Sequence, residues 1–385
     1  MKLSLVLLSL GVAAAPQPRS YLTWLADTFI DKGVKSDFGY QPATLYMGFE
    51  KAHEISKDAK YLNWLRSQID GHVVLDDGTI KDWKYDVYSL DEYRMGNIYL
   101  YLYNQTGEEK YKSAARIVRN QINSHPRTPS GGFWHRKPIF ANQMWLDGIF
   151  MADSFYARWT HLFDKDNTTA WDDIFLQYNL IDTHTRNLTS GLLVHGWAEV
   201  TDKAPWADPV TGRAPHVWGR AVGWYFMSLV ETLQVFPQSH PGYVKLMKFY
   251  TTLATALKKA QEPTSHGWWQ VMDAPYPGRK GNYIESSGSA MFTFGLLKGV
   301  KLGYLKRSDF LQTAKNAYTG LVKKFVRPQD NGTLLFTGTV AECGLSTANA
   351  TFEYYISVKT TANDYKGSGP FMIASYEWET WASKA

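Results

Sequence analysis

The chain has 385 residues, 44% of them hydrophobic and 20% charged, which is ample apolar material for a large core and excludes a disordered protein or a disulfide-dependent miniprotein. Its one cysteine, Cys343, excludes an intramolecular disulfide and any thiolate-built zinc or iron–sulfur centre. The net charge of +5, from 41 basic and 36 acidic residues with no clustered Lys/Arg run, gives no nucleic-acid footprint and is compatible with a carboxylated ligand.

At the N-terminus, Lys2 precedes an apolar run from Leu3 to Val12 and the small residues Ala13, Ala14 and Ala15. This is the pattern of a signal peptide over residues 1–15, and the run is shorter than the roughly 20 residues that a membrane span needs. The expectation is a secreted, extracellular protein with residues 16–385 as the functional domain. Sequons at Asn104, Asn167, Asn187, Asn331 and Asn349 agree with a eukaryotic secretory route. No later segment is apolar enough to cross a membrane.

From there two kinds of helical segment alternate. YLTWLADTFI, KYLNWLRSQI, EKYKSAARIVRNQI, DDIFLQYNLI, YVKLMKFYTTLATALKKA and FLQTAKNAYTGLVKKF carry apolar residues at three- and four-residue spacing, the mark of helices buried on one face. GYQPATLYMGFEKA, DEYRMGNIYLYLYNQTG, WLDGIFMADSFYARW, WGRAVGWYFMSLVETL, ESSGSAMFTFGLLKGV and SGPFMIASYEWE open with polar residues and Gly and then run apolar on nearly every side, so they must be buried all round. Period-two alternation is confined to short pieces such as GTLLFTGTV. Six buried helices alternating with six amphipathic ones, at a loose repeat of about 40 to 70 residues, predict an all-α, single-domain (α/α)6 barrel, with an α-solenoid or an irregular helical globule as the alternative. Parallel inner helices gather their polar N-terminal ends at one mouth, where free N–H groups and the helix dipoles favour an anionic ligand.

Chemistry-bearing residues collect at those ends. Asp147 and Asp91 each stand at the start of an inner helix, where an N-cap is the competing reading. Trp145 and the apolar stretch after Asp147 predict a poorly solvated carboxyl that holds its proton tightly, as a general acid requires. Two carboxyls at one mouth are the equipment of glycoside chemistry. Arg220, at the head of a buried helix, implies an anionic partner, either an internal Asp or Glu or a carboxylate on the substrate. Tyr40, His135, His195, His216, Trp197, Trp218, Trp224, Tyr283, Glu285, Ser286 and Ser287 complete the mouth segments. His135, His195 and His216 lack the i, i+4 pairing of helical metal ligands, and no metal or cofactor is expected. No G-x-S-x-G elbow, Walker loop, H-E-x-x-H or Rossmann fingerprint is present.

The blocks QMWLDGIFMA, WGRAVGWY, ESSGSAMFTFGL and GSGPFMIASYE, in this order over essentially the whole mature chain, resemble the unsaturated rhamnogalacturonyl hydrolases of glycoside hydrolase family 105, relatives of the family 88 unsaturated glucuronyl hydrolases. The resemblance implies the (α/α)6 barrel and removal of a Δ4,5-unsaturated uronic acid from an oligosaccharide left by a polysaccharide lyase. An Asp protonates C4 of the enol ether, water adds at C5, and the hemiketal opens and expels the remaining sugar. By motif position it implies Asp147 as proton donor and Asp91 as the second carboxylate. It further implies substrate contacts from Arg220 and His195 and stacking walls from Trp218, Trp224 and Tyr40, with Trp145 at the mouth and His135 placed there on a looser match. The alternatives are an unsaturated glucuronyl hydrolase of another polyuronide, a conventional inverting glycosidase on the same barrel, and a non-catalytic glycan-binding protein, against which the presence of both Asp91 and Asp147 speaks.

Overall fold

The computed structural model describes residues 19–345 and 350–385. The expected signal peptide and the Asn349 sequon lie outside the described residues. Helices follow one another as α1 (Tyr21–Lys32), α2 (Tyr40–Ser56), α3 (Ala59–Ile69), α4 (Leu90–Tyr93), α5 (Gly96–Thr106), α6 (Glu109–Asn123), α7 (Leu146–Gly148), a π segment (Ile149–Asp153), α8 (Ser154–Phe163), α9 (Thr168–Thr185), α10 (Gly219–Leu233), α11 (Pro241–Ala260), α12 (Ser286–Lys301), α13 (Arg307–Phe325), α14 (Phe352–Ser357) and α15 (Tyr365–Thr380).

The two kinds of segment sort into two rings. In α6 the buried side chains Tyr111, Ala114, Ala115, Val118 and Ile122 form one stripe, whereas in α10 every residue except Glu231 is buried, and in α12 all but Lys298 and Lys301. The inner helices pack in a closed circuit: α2 against α4 and α5, α4 against the π segment, the π segment and α8 against α10, α10 against α12, α12 against α15, and α15 back against α2. Helices α1, α3, α6, α9, α11 and α13 lie outside this circuit. The architecture is the expected (α/α)6 barrel, with two inner members more broken than the apolar pattern shows. Arg94 and Met95 interrupt the second between α4 and α5, and the third is wound as a π segment directly after Asp147 and Gly148. A π turn admits one extra residue and recurs at functional sites.

Where inner helices touch, glycine lets backbones approach. Gly288 of α12 sits against the Gly219–Arg220 peptide of α10, and a methyl on Gly369 of α15 would collide with the Thr44 carbonyl oxygen of α2. Among the described residues no helix is long and apolar enough to cross a membrane.

The Thr44 carbonyl belongs to backbone and cannot swing aside. Gly369→Ala is therefore expected to destabilise the ring by about 1–3 kcal/mol, read as a lower midpoint in chemical denaturation. An unchanged midpoint would show that α2 and α15 are not in register as described.

Candidate active site

The first N–H groups of an α-helix have no partner inside the helix. In this ring the loop leading to the next inner helix supplies one. Leu90 N–H of α4 donates to His135 O at 3.1 Å, Leu146 N–H of α7 to His195 O at 3.0 Å, Gly219 N–H of α10 to Gln270 O at 3.0 Å, and Ser286 N–H of α12 to Gly338 O at 3.1 Å. A short antiparallel pairing runs beside each of the first three. β1 (Tyr88–Ser89) and β2 (Arg136–Lys137) pair Ser89 with Arg136, β3 (Gln143–Trp145) and β4 (Gly196–Ala198) pair Trp145 with Gly196, and a bridge joins Trp218 to Val271. The repeat lays each mouth loop over the start of the preceding inner helix, so His135 comes to rest on Asp91 and His195 on Asp147.

Neither aspartate caps its helix, which settles the competition left open by the sequence. Asp147 Oδ2 lies 3.1 Å from His195 Nε2, and His195 Nδ1 lies 2.7 Å from the Tyr355 hydroxyl. Asp91 Oδ2 accepts from Arg136 Nη2 at 2.6 Å while its Oδ1 lies 3.6 Å from His135 Nε2. The two carboxyl side chains are 13% and 15% exposed for Asp147 and Asp91, so both open into the cleft but not into bulk water. His135 stacks on Trp145 at 4.1 Å, and burial lowers its pKa against the pull of Asp91 and Asp147.

One cleft gathers Tyr40, Asp91, His135, Trp145, Asp147, Trp218, Arg220 and Trp224, together with Met151, Glu342, Cys343 and Gly344. His195, fully buried, stands directly behind Asp147. Eight of the nine residues given a site role therefore line the cleft, and the ninth backs Asp147. His216 instead bonds Asp273 at 3.0 Å, Trp197 stacks on His184, and Glu285 caps α12 by accepting from Gly288 N–H, so these residues hold the scaffold.

One question about electrostatics is narrowed and one expectation is reversed. Among the described residues Arg220 finds no internal carboxylate partner. Its Nη1 and Nη2 donate to the backbone carbonyls of Val340 and Ala341, its guanidinium lies 4.6 Å over Trp218, and its charge is left facing the cleft. The Asp147 pKa is lowered, not raised: burial pushes it up, but the charge and hydrogen bond of His195, with His135 beyond, outweigh burial. The residues missed by the sequence reading are Arg136, Glu342 and Tyr355. Arg136 is adjacent to the quoted His135 and could have been found from the strand that carries it. Tyr355 lies in a segment with no mouth signature.

A larger cavity lies at the other end of the ring, where Glu50, Glu231 and Glu377 stand among Lys51, Arg94, Arg158 and Lys298. Burial lifts the Glu50 carboxyl there to about 7. Between the two ends Phe150 stacks on Trp224 at 4.7 Å, and the Arg94 guanidinium lies 3.7 Å over the Phe150 ring.

The Glycosyl Hydrolase Family 88 model matches residues 23–382 of the chain. A solved family 105 glycoside hydrolase from C. acetobutylicum ATCC 824 is 38% identical and superposes with a TM-score of 0.89, covering 94% of this chain and 100% of that one. The chain is a glycoside hydrolase of the family 88 and 105 group. It is also similar to the unsaturated rhamnogalacturonyl hydrolase YesR of Bacillus subtilis (strain 168), 23% identical over 73% of this chain and 77% of that protein. An unsaturated 3S-rhamnoglycuronyl hydrolase of Alteromonas sp. (strain LOR) is 23% identical over 61% of this chain and 57% of that protein.

For this family 88/105 chain, Asp147→Asn is expected to fold normally, since Asp147 caps nothing, and to lose activity by about 10²–10⁴-fold. Asp91→Asn should lose less. Turnover beside a thermal melt checks both; an Asp147→Asn enzyme as active as the parent would remove Asp147 from the chemistry.

Proposed function

We propose that the chain removes a Δ4,5-unsaturated galacturonic acid from the non-reducing end of rhamnogalacturonan lyase products. The observation that carries this reading is the cleft itself, where two uncapping aspartates, an Arg220 without a carboxylate partner and three tryptophans converge at the N-terminal ends of inner helices. Arg220 with the helix ends offers positive charge to the sugar carboxylate. The tryptophans line the cleft but are not the free stacking walls the resemblance implies, since their faces are stacked on His135, Tyr355 and Phe150.

At rest Asp147 is a carboxylate, held so by His195. A uronate entering the same cleft brings a negative charge and displaces water, and both raise the Asp147 pKa until it takes up a proton. That proton passes to C4 of the enol ether and leaves cationic character on C5 and the ring oxygen. Asp91, paired with Arg136, stays in place as a supporting charge. Water adds at C5 as Asp147, again a carboxylate, accepts its proton. The hemiketal then opens the ring and releases the remaining oligosaccharide, so the net change is addition of one water. One carboxyl serves both steps because C4 and C5 are adjacent.

The same reading places the enzyme outside the cell, supported by the leader pattern of residues 1–15 and by exposed sequon positions at Asn104, Asn187 and Asn331. Unsaturated galacturonyl-rhamnose, incubated with the enzyme beside an unsaturated glucuronyl disaccharide, should lose its enol-ether ultraviolet band faster. Preference for the glucuronyl substrate would move the assignment to another polyuronide. Binding of both without turnover would make the protein a glycan binder, and cleavage of a saturated substrate would make it a conventional glycosidase.

A further inference from the structure

Asp91 and Asp147 occupy the same place in successive repeats, as do His135 and His195, yet the two pairs end differently. Behind His135, Nδ1 is buried with no hydrogen-bond partner among the described residues, and the far side of Asp91 is held by Arg136. Behind His195, Nδ1 meets the hydroxyl of Tyr355 in α14 at 2.7 Å, and both side chains are fully buried. Tyr355 is fixed in turn. Gln270 Nε2 donates to its backbone carbonyl at 3.1 Å, Gln270 Oε1 accepts from Trp218 Nε1 at 3.1 Å, and Trp218 stacks on the Tyr355 ring.

A buried phenol must donate its hydrogen, and among the described residues His195 Nδ1 is the acceptor within reach. Burial holds the Tyr355 pKa well above its ordinary value, so the hydroxyl keeps that hydrogen at any working pH. A ring nitrogen that accepts carries no hydrogen of its own, so neutral His195 bears its hydrogen on Nε2, aimed at Asp147.

We infer that Tyr355 is a positioning residue for proton transfer, its hydroxyl fixing His195 as the Nε2–H tautomer. Two consequences follow for Asp147. Its carboxylate is steadied by the Nε2–H donor for the step that takes a proton from water. When it is protonated, Nε2 has no lone pair to accept that hydrogen, so the proton stays available to the substrate carbon and is not drained into the ring. The other titratable or charged groups facing the pair are Tyr40, Asp91, His135, Arg220 and Glu342 across the cleft, with His216, Asp273, Cys343 and Tyr354 around Tyr355. Among the described residues none of these hydrogen-bonds to His195 Nδ1.

The inference rests on Asp147 as the proton carrier, and its test is separable from the substrate assignment. Imidazole ¹⁵N shifts of His195 in the wild-type enzyme, at a pH where it is neutral, should show hydrogen on Nε2. Tyr355→Phe should gain the Nδ1–H form. Its Nε2 then accepts from protonated Asp147, which raises the Asp147 pKa. The alkaline limb of kcat, where protonated Asp147 is lost from the substrate complex, should move up by about one pH unit. Activity at the optimum should fall on the order of tenfold. A wild-type Nδ1–H pattern would overturn the inference, and so would a folded Tyr355→Phe enzyme with the parent's tautomer and pH limb. The wild-type spectrum needs neither turnover nor a stable variant.

Discussion

The unpartnered N–H at the start of each inner helix is the constraint on which the rest of the structure depends. A helix end buried in a ring cannot turn its first N–H groups to bulk water, and leaving a buried amide unpaired costs about 1–3 kcal/mol. The ring answers with a carbonyl from the loop that leads to the next inner helix, repeated at Leu90, Leu146, Gly219 and Ser286. That single device ties neighbouring repeats together and draws these four mouth loops inward, each over the helix before it. The side chain on the residue whose carbonyl accepts then has little choice of place, and His135 and His195 fall on the aspartates.

Duplication alone would give two equivalent dyads. What separates them is the second partner of each. Arg136, one residue beyond the carbonyl acceptor of its repeat, commits Asp91 to an ion pair. In the next repeat the corresponding residue is Gly196, which has no side chain to offer, and Asp147 is left to His195 and to whatever enters the cleft. A symmetric scaffold thus yields one carboxylate that is held and one that can exchange a proton. Among the described residues the π segment immediately after Gly148 also falls only in the repeat that carries Asp147.

Much of this was legible in the chain. Helical spacing and the all-round apolar segments specified two rings, and the clustering of polar residues at one end of each inner segment located the mouth. Asp91, Asp147, Arg220 and the tryptophans were readable because each sits beside its own helix start. What was not readable depends on pairs far apart in sequence. The direction of the Asp147 pKa turns on His195, whose distance from it is set by the β3–β4 pairing, and local apolarity alone predicted the opposite sign. Arg220 finds the carbonyls of Val340 and Ala341 because α12 and the segment after it close over α10, a contact that no local pattern encodes. Tyr355 arrives through α14 from beyond five inner helices, in a stretch whose composition says nothing about the mouth.

Turnover in D₂O tests most directly the claim that chemistry begins with a proton delivered to carbon in this cleft. At the earliest time points the ring-opened keto-uronate product should carry deuterium at C4, detected by mass and NMR, and Asp147→Asn should abolish its appearance together with turnover. Release of the sugar without deuterium at C4, with solvent oxygen found at the anomeric carbon, would contradict the account and make the enzyme a conventional glycosidase.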